Sequence, residues 1–249
     1  MFAPLGRALG RYLERDEPTR QPVVAQDHAA LTAAIRVGDV LLVEGRARVS
    51  TAIKYLTQST WSHAALCVQD LSTGAGVVEL VELTLQEGCH RVPLAKYALF
   101  NTRLCRAAGL SDDERAAVAR YMVDRIGLQY DTRNVFDLAR YLLPTPPVPV
   151  RWRRRMLTLG SGDPTRAICS SLIAQAFQTV RYPILPQIEM LRATDSGRPL
   201  GTVWRARHAS LTVPRDFDLS PYFAVVKPTL HRGFDHRRIP WADEAAAAE

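Results

Sequence analysis

The sequence is poor in everything that would carry it through a membrane. Its longest apolar runs, at 64–68 and 222–226, are five residues each, against the roughly 20 that span a bilayer, so no transmembrane helix is encoded. The opening residues, MFAPLGRALGRYLERDE, lack a continuous apolar stretch of signal-peptide length, which makes a cytoplasmic location the expectation. Cysteine is scarce: Cys67, Cys89, Cys105 and Cys169 are too few and too scattered for a disulfide framework, and no CxxC pair points to structural zinc. Reduced thiols are expected. No internal repeat is present.

What is there is ordinary globular material. Of 249 residues, 47% are hydrophobic and 23% charged, which excludes a wholly disordered or collagen-like chain and sits near the upper limit for one core. Lys and Arg outnumber Asp and Glu by 32 to 25, a net +7 that would suit an anionic partner. The excess is clustered in Arg151, Arg153, Arg154 and Arg155, and again in Arg232, Arg237 and Arg238 with His231 and His236. No nucleic-acid-binding module accompanies these runs, so they read as solvated loops and a nucleic-acid partner is not expected. Nothing in the pattern specifies an oligomer.

Periodicity divides the chain. Phe2, Leu5, Leu9, Tyr12 and Leu13 fall at helical spacing with Arg7, Arg11 and Arg15 between them, predicting an amphipathic helix that docks on its own domain or lies on a membrane surface through residues 1–17. Residues 18–26 read as a linker and 29–35 as a short helix. Strands are predicted at 40–43, 61–69, 77–84, 88–93 and 102–107, the second and third joined by the turn DLSTGAG. A helix is expected from Ser50 to Gln58, with Ala52, Ile53 and Leu56 on one side. Ser111 with Glu114 makes a capping box, opening a helix that stops near Gly127. A second helix is expected over 134–143, ending at Pro144. The stretch PTPPVPV and the Arg run mark an exposed insertion at about 143–163. Ile168, Leu172, Ile173, Ala176 and Phe177 then repeat at helical spacing, predicting a buried helix whose first turn lies near Cys169. Beyond YPILP only YFAVV (222–226) reads as a strand. The organisation expected is an N-terminal helix and linker (1–27), one domain (28–230) and a tail (231–249) expected to be disordered.

Cys169 is the first candidate for chemistry. A thiol at a helix N-terminus feels the positive end of the macrodipole, which favours the nucleophilic thiolate, and Arg166 pushes the same way. Cys67 and Cys105 lie inside predicted strands and read as core. A cysteine nucleophile needs a base, and the base needs a group to hold its ring. His63 is the strongest of six histidines, since it begins a strand flanked by apolar residues. His28, His90, His208, His231 and His236 stand in polar contexts where solvation suffices. Glu79 and Glu82 on the next strand are candidate orienters. Three apart, they point to opposite faces, so only one can face His63. A metal site from His63, a Glu and Cys169 lacks tight ligand spacing.

The order His, Glu, Cys, with TQSTWSHAAL at the histidine and ICSSLIAQAF at the cysteine, resembles the permuted papain-like hydrolases of the NlpC peptidase superfamily, in the YiiX/YaeF-type branch. More distantly it resembles lecithin:retinol acyltransferase-like proteins. The similarity spans roughly residues 37–228 and includes GDVLLVEG, GCHRVPLAKY and the pair Tyr130-Asp131. It implies an α+β fold, a circularly permuted papain-like domain with an antiparallel sheet packed against helices and the nucleophile at a helix N-terminus. It implies Cys169 as nucleophile, His63 as base and Glu82 as orienter, with Glu79 as the alternative. An oxyanion would find donors in the Cys169 backbone N–H and in Gln58 or Tyr130. The activity implied is hydrolysis of an amide, ester or thioester through an acyl-cysteine, with no cofactor and no metal, on a small acyl, peptide or lipid substrate. The alternatives are a lipid acyltransferase or phospholipase, and a non-catalytic membrane or nucleic-acid adaptor retaining the fold.

Overall fold

The computed structural model describes residues 27–74, 76–129, 169–192 and 199–228. The amphipathic helix of 1–17, the helix at 134–143, the insertion at 143–163 with its Arg run, Tyr130, Arg166, Ile168 and the tail from 231 lie outside them.

Along the chain come α1 (His28–Ala34), β1 (Val40–Val43), α2 (Arg48–Thr57), β2 (His63–Gln69), β3 (Glu79–Thr84), β4 (Gly88–Pro93) and β5 (Thr102–Ala107). Then follow α3 (Asp112–Val123), α4 (Ser170–Thr179), β6 (Gln187–Arg192), β7 (Pro199–Arg205), α5 (Pro214–Leu219) and β8 (Phe223–Val226). Six strands form one sheet in the order β4-β3-β2-β1-β5-β8, antiparallel throughout, while β6 and β7 make a separate ribbon. The protein is therefore α+β, with an antiparallel sheet packed against helices.

Strand β1, VLLV, is buried on both faces, which is why it reads as a continuous apolar run rather than an alternation. Side-chain alternation then sorts the sheet into two packing layers. Val40, Leu42, Ala64, Leu66, Val81 and Cys105 face α3 and α4, meeting Val118, Met122, Leu172, Ile173 and Phe177. Leu41, Val43, Ala65, Cys67, Leu80 and Leu104 face Leu31 and Ile35 around α1, and Leu94 and Tyr97 on a 3₁₀ turn (Leu94–Tyr97). Each fully buried aliphatic side chain contributes roughly 1.5–3 kcal/mol. Charged groups are buried as well: Asp39, with no exposure, accepts from Arg106 (2.6 Å) and from the backbone of Arg36. That pair ties the turn before β1 to β5.

Local signals were obeyed with informative exceptions. The Ser111–Glu114 capping box opens α3, but the helix ends at Val123. The chain then turns to Gly127, whose N–H donates to Cys89 in β4. Helix α2 starts two residues before Ser50, capped by Ala47 without a side-chain bond, and Ser50 is buried inside it. The ribbon β6–β7 and the helix α5 went unread in the sequence. Ile188 and Met190 alternate with polar residues as strand residues do, yet they are exposed rather than core-facing.

Candidate active site

Strand β2 begins at His63 because Ser62 and Gly45 close the chain against β1: the Gly45 N–H donates to Ser62 Oγ at 2.9 Å, and Ser62 N–H donates to the Val43 carbonyl. A Cβ at position 45 would stand 2.3 Å from Ser50 Oγ and 2.9 Å from Ser62 Oγ, so the approach requires glycine. His63 and Glu82 lie on the same sheet face, the one that carries Ala65, Cys67 and Leu80, because His63 is two residues from Ala65 on β2, Glu82 is two from Leu80 on β3, and Cys67 pairs with Leu80. His63 Nε2 sits 2.6 Å from Glu82 Oε2.

Cys169 stands immediately before α4 and is 5% exposed. Its thiol faces His63 and the backbone N–H groups of Ala64 and Ser170, all of which favour its charged form. With Nε2 on the carboxylate, Nδ1 is the ring nitrogen left for the sulfur. Burial alone would raise the thiol's pKa, but the facing imidazolium and these three donors bring it below its ordinary value. Burial would likewise discharge His63, yet the thiolate and the Glu82 carboxylate on either side raise it to about 10. Both shifts run in the direction that favours a thiolate facing an imidazolium.

Glu82 is fully buried, which on its own would favour the neutral acid; His63, Lys96 and Tyr97 hold it well below the usual carboxylate range instead. Tyr97 O–H donates to Oε2, and Lys96 Nζ donates to Oε1. Both come from the 3₁₀ turn that covers this face. His90, the register partner of Glu82 on β4, brings Nε2 to 3.1 Å from Oε1 and 2.7 Å from Glu87. Strand β4 is placed by Gly88, whose φ is +69° and whose missing Cβ would meet the Leu128 carbonyl at 2.4 Å. Sequence reasoning left His90 to solvent and passed over Lys96 and Tyr97. The signal was the β3–β4 pairing, which sets His90 directly opposite Glu82.

The remaining candidates are elsewhere. Glu79 faces away at the far end of β3 and pairs with Arg91 at 2.5 Å. Gln58 adopts a left-handed φ of 51° as the C-cap of α2, and its amide donates to the Tyr55 carbonyl at 2.6 Å. It is not among the residues lining the cleft. The other three cysteines are ordinary buried thiols: burial pushes Cys67 and Cys89 up, and Cys105 to about 12. Among the described residues no group of three His, Cys, Asp or Glu side chains is arranged to hold a metal ion.

Cys169, His63 and Glu82 open on a cleft of about 380 Å³ walled by Val49 and Ile53 of α2, Leu85, Phe100 and Pro214, with Arg46 and Lys96 among its lining residues. A low-pKa thiolate beside an oriented imidazolium at the floor of such a cleft can attack an electrophilic carbon and pass a proton to the departing group. Among the described residues no helix is long and apolar enough to cross a membrane. In comparisons with known proteins, no family model and no curated protein matches this sequence.

Proposed function

We propose that the chain is a cysteine hydrolase of the permuted papain-like type, acting on an amide, ester or thioester through an acyl-Cys169 intermediate. The observation that carries this is the arrangement of Cys169, His63 and Glu82. Three residues from three separate elements converge on one charge relay, with the sulfur at a helix start and the carboxylate held by His63, Lys96 and Tyr97. A buried thiol with a structural role needs none of this.

In the mechanism, the Cys169 sulfur adds to the substrate carbonyl, and the negative charge moves to the carbonyl oxygen, where the Cys169 N–H is the nearest backbone donor in sequence. The tetrahedral adduct collapses, the imidazolium of His63 gives its proton to the leaving amine or alkoxide, and a thioester remains. Neutral His63 then takes a proton from water, whose oxygen displaces the sulfur and releases the acid. Glu82 stabilises the imidazolium at each charged stage and fixes the ring. The order His, Glu, Cys along the chain, with an antiparallel sheet and α4 against it, supports kinship with the permuted papain-like fold.

A second reading, transfer of a lipid acyl group, is favoured by the apolar walls Val49, Ile53, Leu85, Phe100 and Pro214. The same acyl-cysteine would be captured by an alcohol or amine instead of water. The test is hydrolysis of p-nitrophenyl acetate and p-nitrophenyl octanoate by the native chain and Cys169→Ala. Turnover lost in the variant supports the reading; turnover retained, or absent in both proteins, overturns it. Preference for the octanoate would support the lipid alternative.

A further inference from the structure

A second cavity of about 380 Å³ lies away from the cleft, where the C-terminal end of α4 meets the root of the β6–β7 ribbon and α5. The site already described uses none of its residues. Helix α4 connects the two: Cys169 precedes its first turn, and Gln178, near its end, lines the second cavity. Helix α5 stands between them, with Pro214 on the cleft and Asp216 on the other side.

The lining is split by chemistry. One part is apolar, made of Ile184, Leu185, Pro186 and the ring of Trp204. The other is cationic. Arg181, Arg205 and Arg207 line it against a single lining carboxylate, Asp216. Arg207 is engaged with Asp216 at 3.2 Å and Arg205 with Glu189 at 2.9 Å. Arg181 makes no ion pair among the described residues, and it holds a left-handed φ of 53°, a conformation usually left to glycine after a helix. Its backbone N–H donates to Gln178, and the next N–H, from Tyr182, donates to Phe177. The helix end is closed by the backbone, and Arg181 is among the residues that line the cavity.

We infer that this cavity is a binding site for a small amphiphilic anion, an oxyanion head on an apolar body, with Arg181 receiving the head and Trp204, Ile184 and Leu185 the body. Its volume falls in the range of small-ligand pockets. Its charge selects against cations, and the planar fork of a guanidinium suits a carboxylate or a phosphate monoester. A neutral apolar ligand would leave Arg181 without its partner.

Titration calorimetry of the full chain with octanoate, octyl phosphate and octanol tests this. Saturable binding of at least one of the two anions is expected, tenfold or more tighter than octanol, and the tighter anion identifies the head group. Arg181→Glu is expected to weaken it at least tenfold. Arg181→Gly, which removes the guanidinium at a position where glycine is conformationally at ease, should weaken it similarly while keeping the native melting temperature. Octanol binding as tightly as both anions, no saturable anion binding, or binding unchanged in both Arg181 variants would overturn the proposal. So would binding lost in the cleft variant Ile53→Asp and kept in Arg181→Glu. None of these outcomes depends on whether Cys169 hydrolyses esters.

Discussion

Strand β2 serves two cysteines in opposite ways. Cys67, inside the strand, has no exposure, and Cys169, whose thiol faces the Ala64 N–H at the strand's other end, is 5% exposed. Equal burial would push both thiols up. Cys67 is pushed up, first by burial and then by Asp39 and Asp70. Cys169 is brought down, because a histidine and two backbone donors face it. Partners, not exposure, therefore decide the direction in which each thiol's pKa moves. The two carboxylates of β3 differ in both respects: Glu79 pairs with Arg91 near the surface, while Glu82, three residues on, is buried and held in its charged form by His63, Lys96 and Tyr97.

The comparison breaks most sharply under substitution of the thiols themselves. Cys169→Ala should lower ester hydrolysis by roughly a thousandfold or more with the fold intact, whereas Cys67→Ala should keep the rate and cost about 1–3 kcal/mol of stability. Kinetics and denaturant melts of both variants check this. Glu82→Gln keeps the shape and removes the charge, and a loss on the order of a hundredfold in kcat/KM is expected.

The pH dependence sharpens the same point. Hydrolysis should rise through an acid limb below the ordinary thiol value of 9.0, as Cys169 ionises, and fall near pH 10, as His63 loses its proton. For stability the sign follows from Glu82, whose folded-state value is depressed. Its contribution is fully present above the ordinary 4.5 and is lost as the pH falls below it. Melting temperatures across pH 3–7 should decline on the acid side, and Glu82→Gln should flatten that decline. The smallest effect belongs to Gln58. Gln58→Gly suits the left-handed C-cap, so stability should change by no more than about 1 kcal/mol and the rate should not change. A hundredfold rate loss there would restore Gln58 as an oxyanion donor.

Much of this site was legible in the sequence because it rests on local rules. Period-two alternation narrowed the partner of His63 to Glu79 or Glu82, the family resemblance favoured Glu82, and the apolar spacing after Cys169 placed its helix start. The choice between Glu79 and Glu82 needed strand pairing, since alternation puts the two on opposite faces without saying which face carries His63. The holders of Glu82 were hidden for the same reason. Lys96 and Tyr97 come from a 3₁₀ turn with no periodic signature, and His90 becomes a neighbour only through β-register. In the fold, strands with buried alternation were readable. The β6–β7 ribbon, whose apolar residues Ile188 and Met190 are exposed, lacked the burial contrast that makes alternation mean a core strand. Helix α5 is only six residues long, marked by Pro214 at its start and Asp216 beside it, a signal too short to separate from a turn.

The most direct test is the pH dependence of iodoacetamide alkylation at each of the four cysteines, followed by mass spectrometry in the native protein and in Glu82→Gln. Cys169 should react on the order of a hundredfold faster than Cys67, Cys89 or Cys105 at pH 7, with its midpoint below 9.0 and moved upward in Glu82→Gln. Alkylation of all four thiols at similar rates, or a Cys169 midpoint at 9.0 that Glu82→Gln leaves in place, would contradict the thiolate–imidazolium relay.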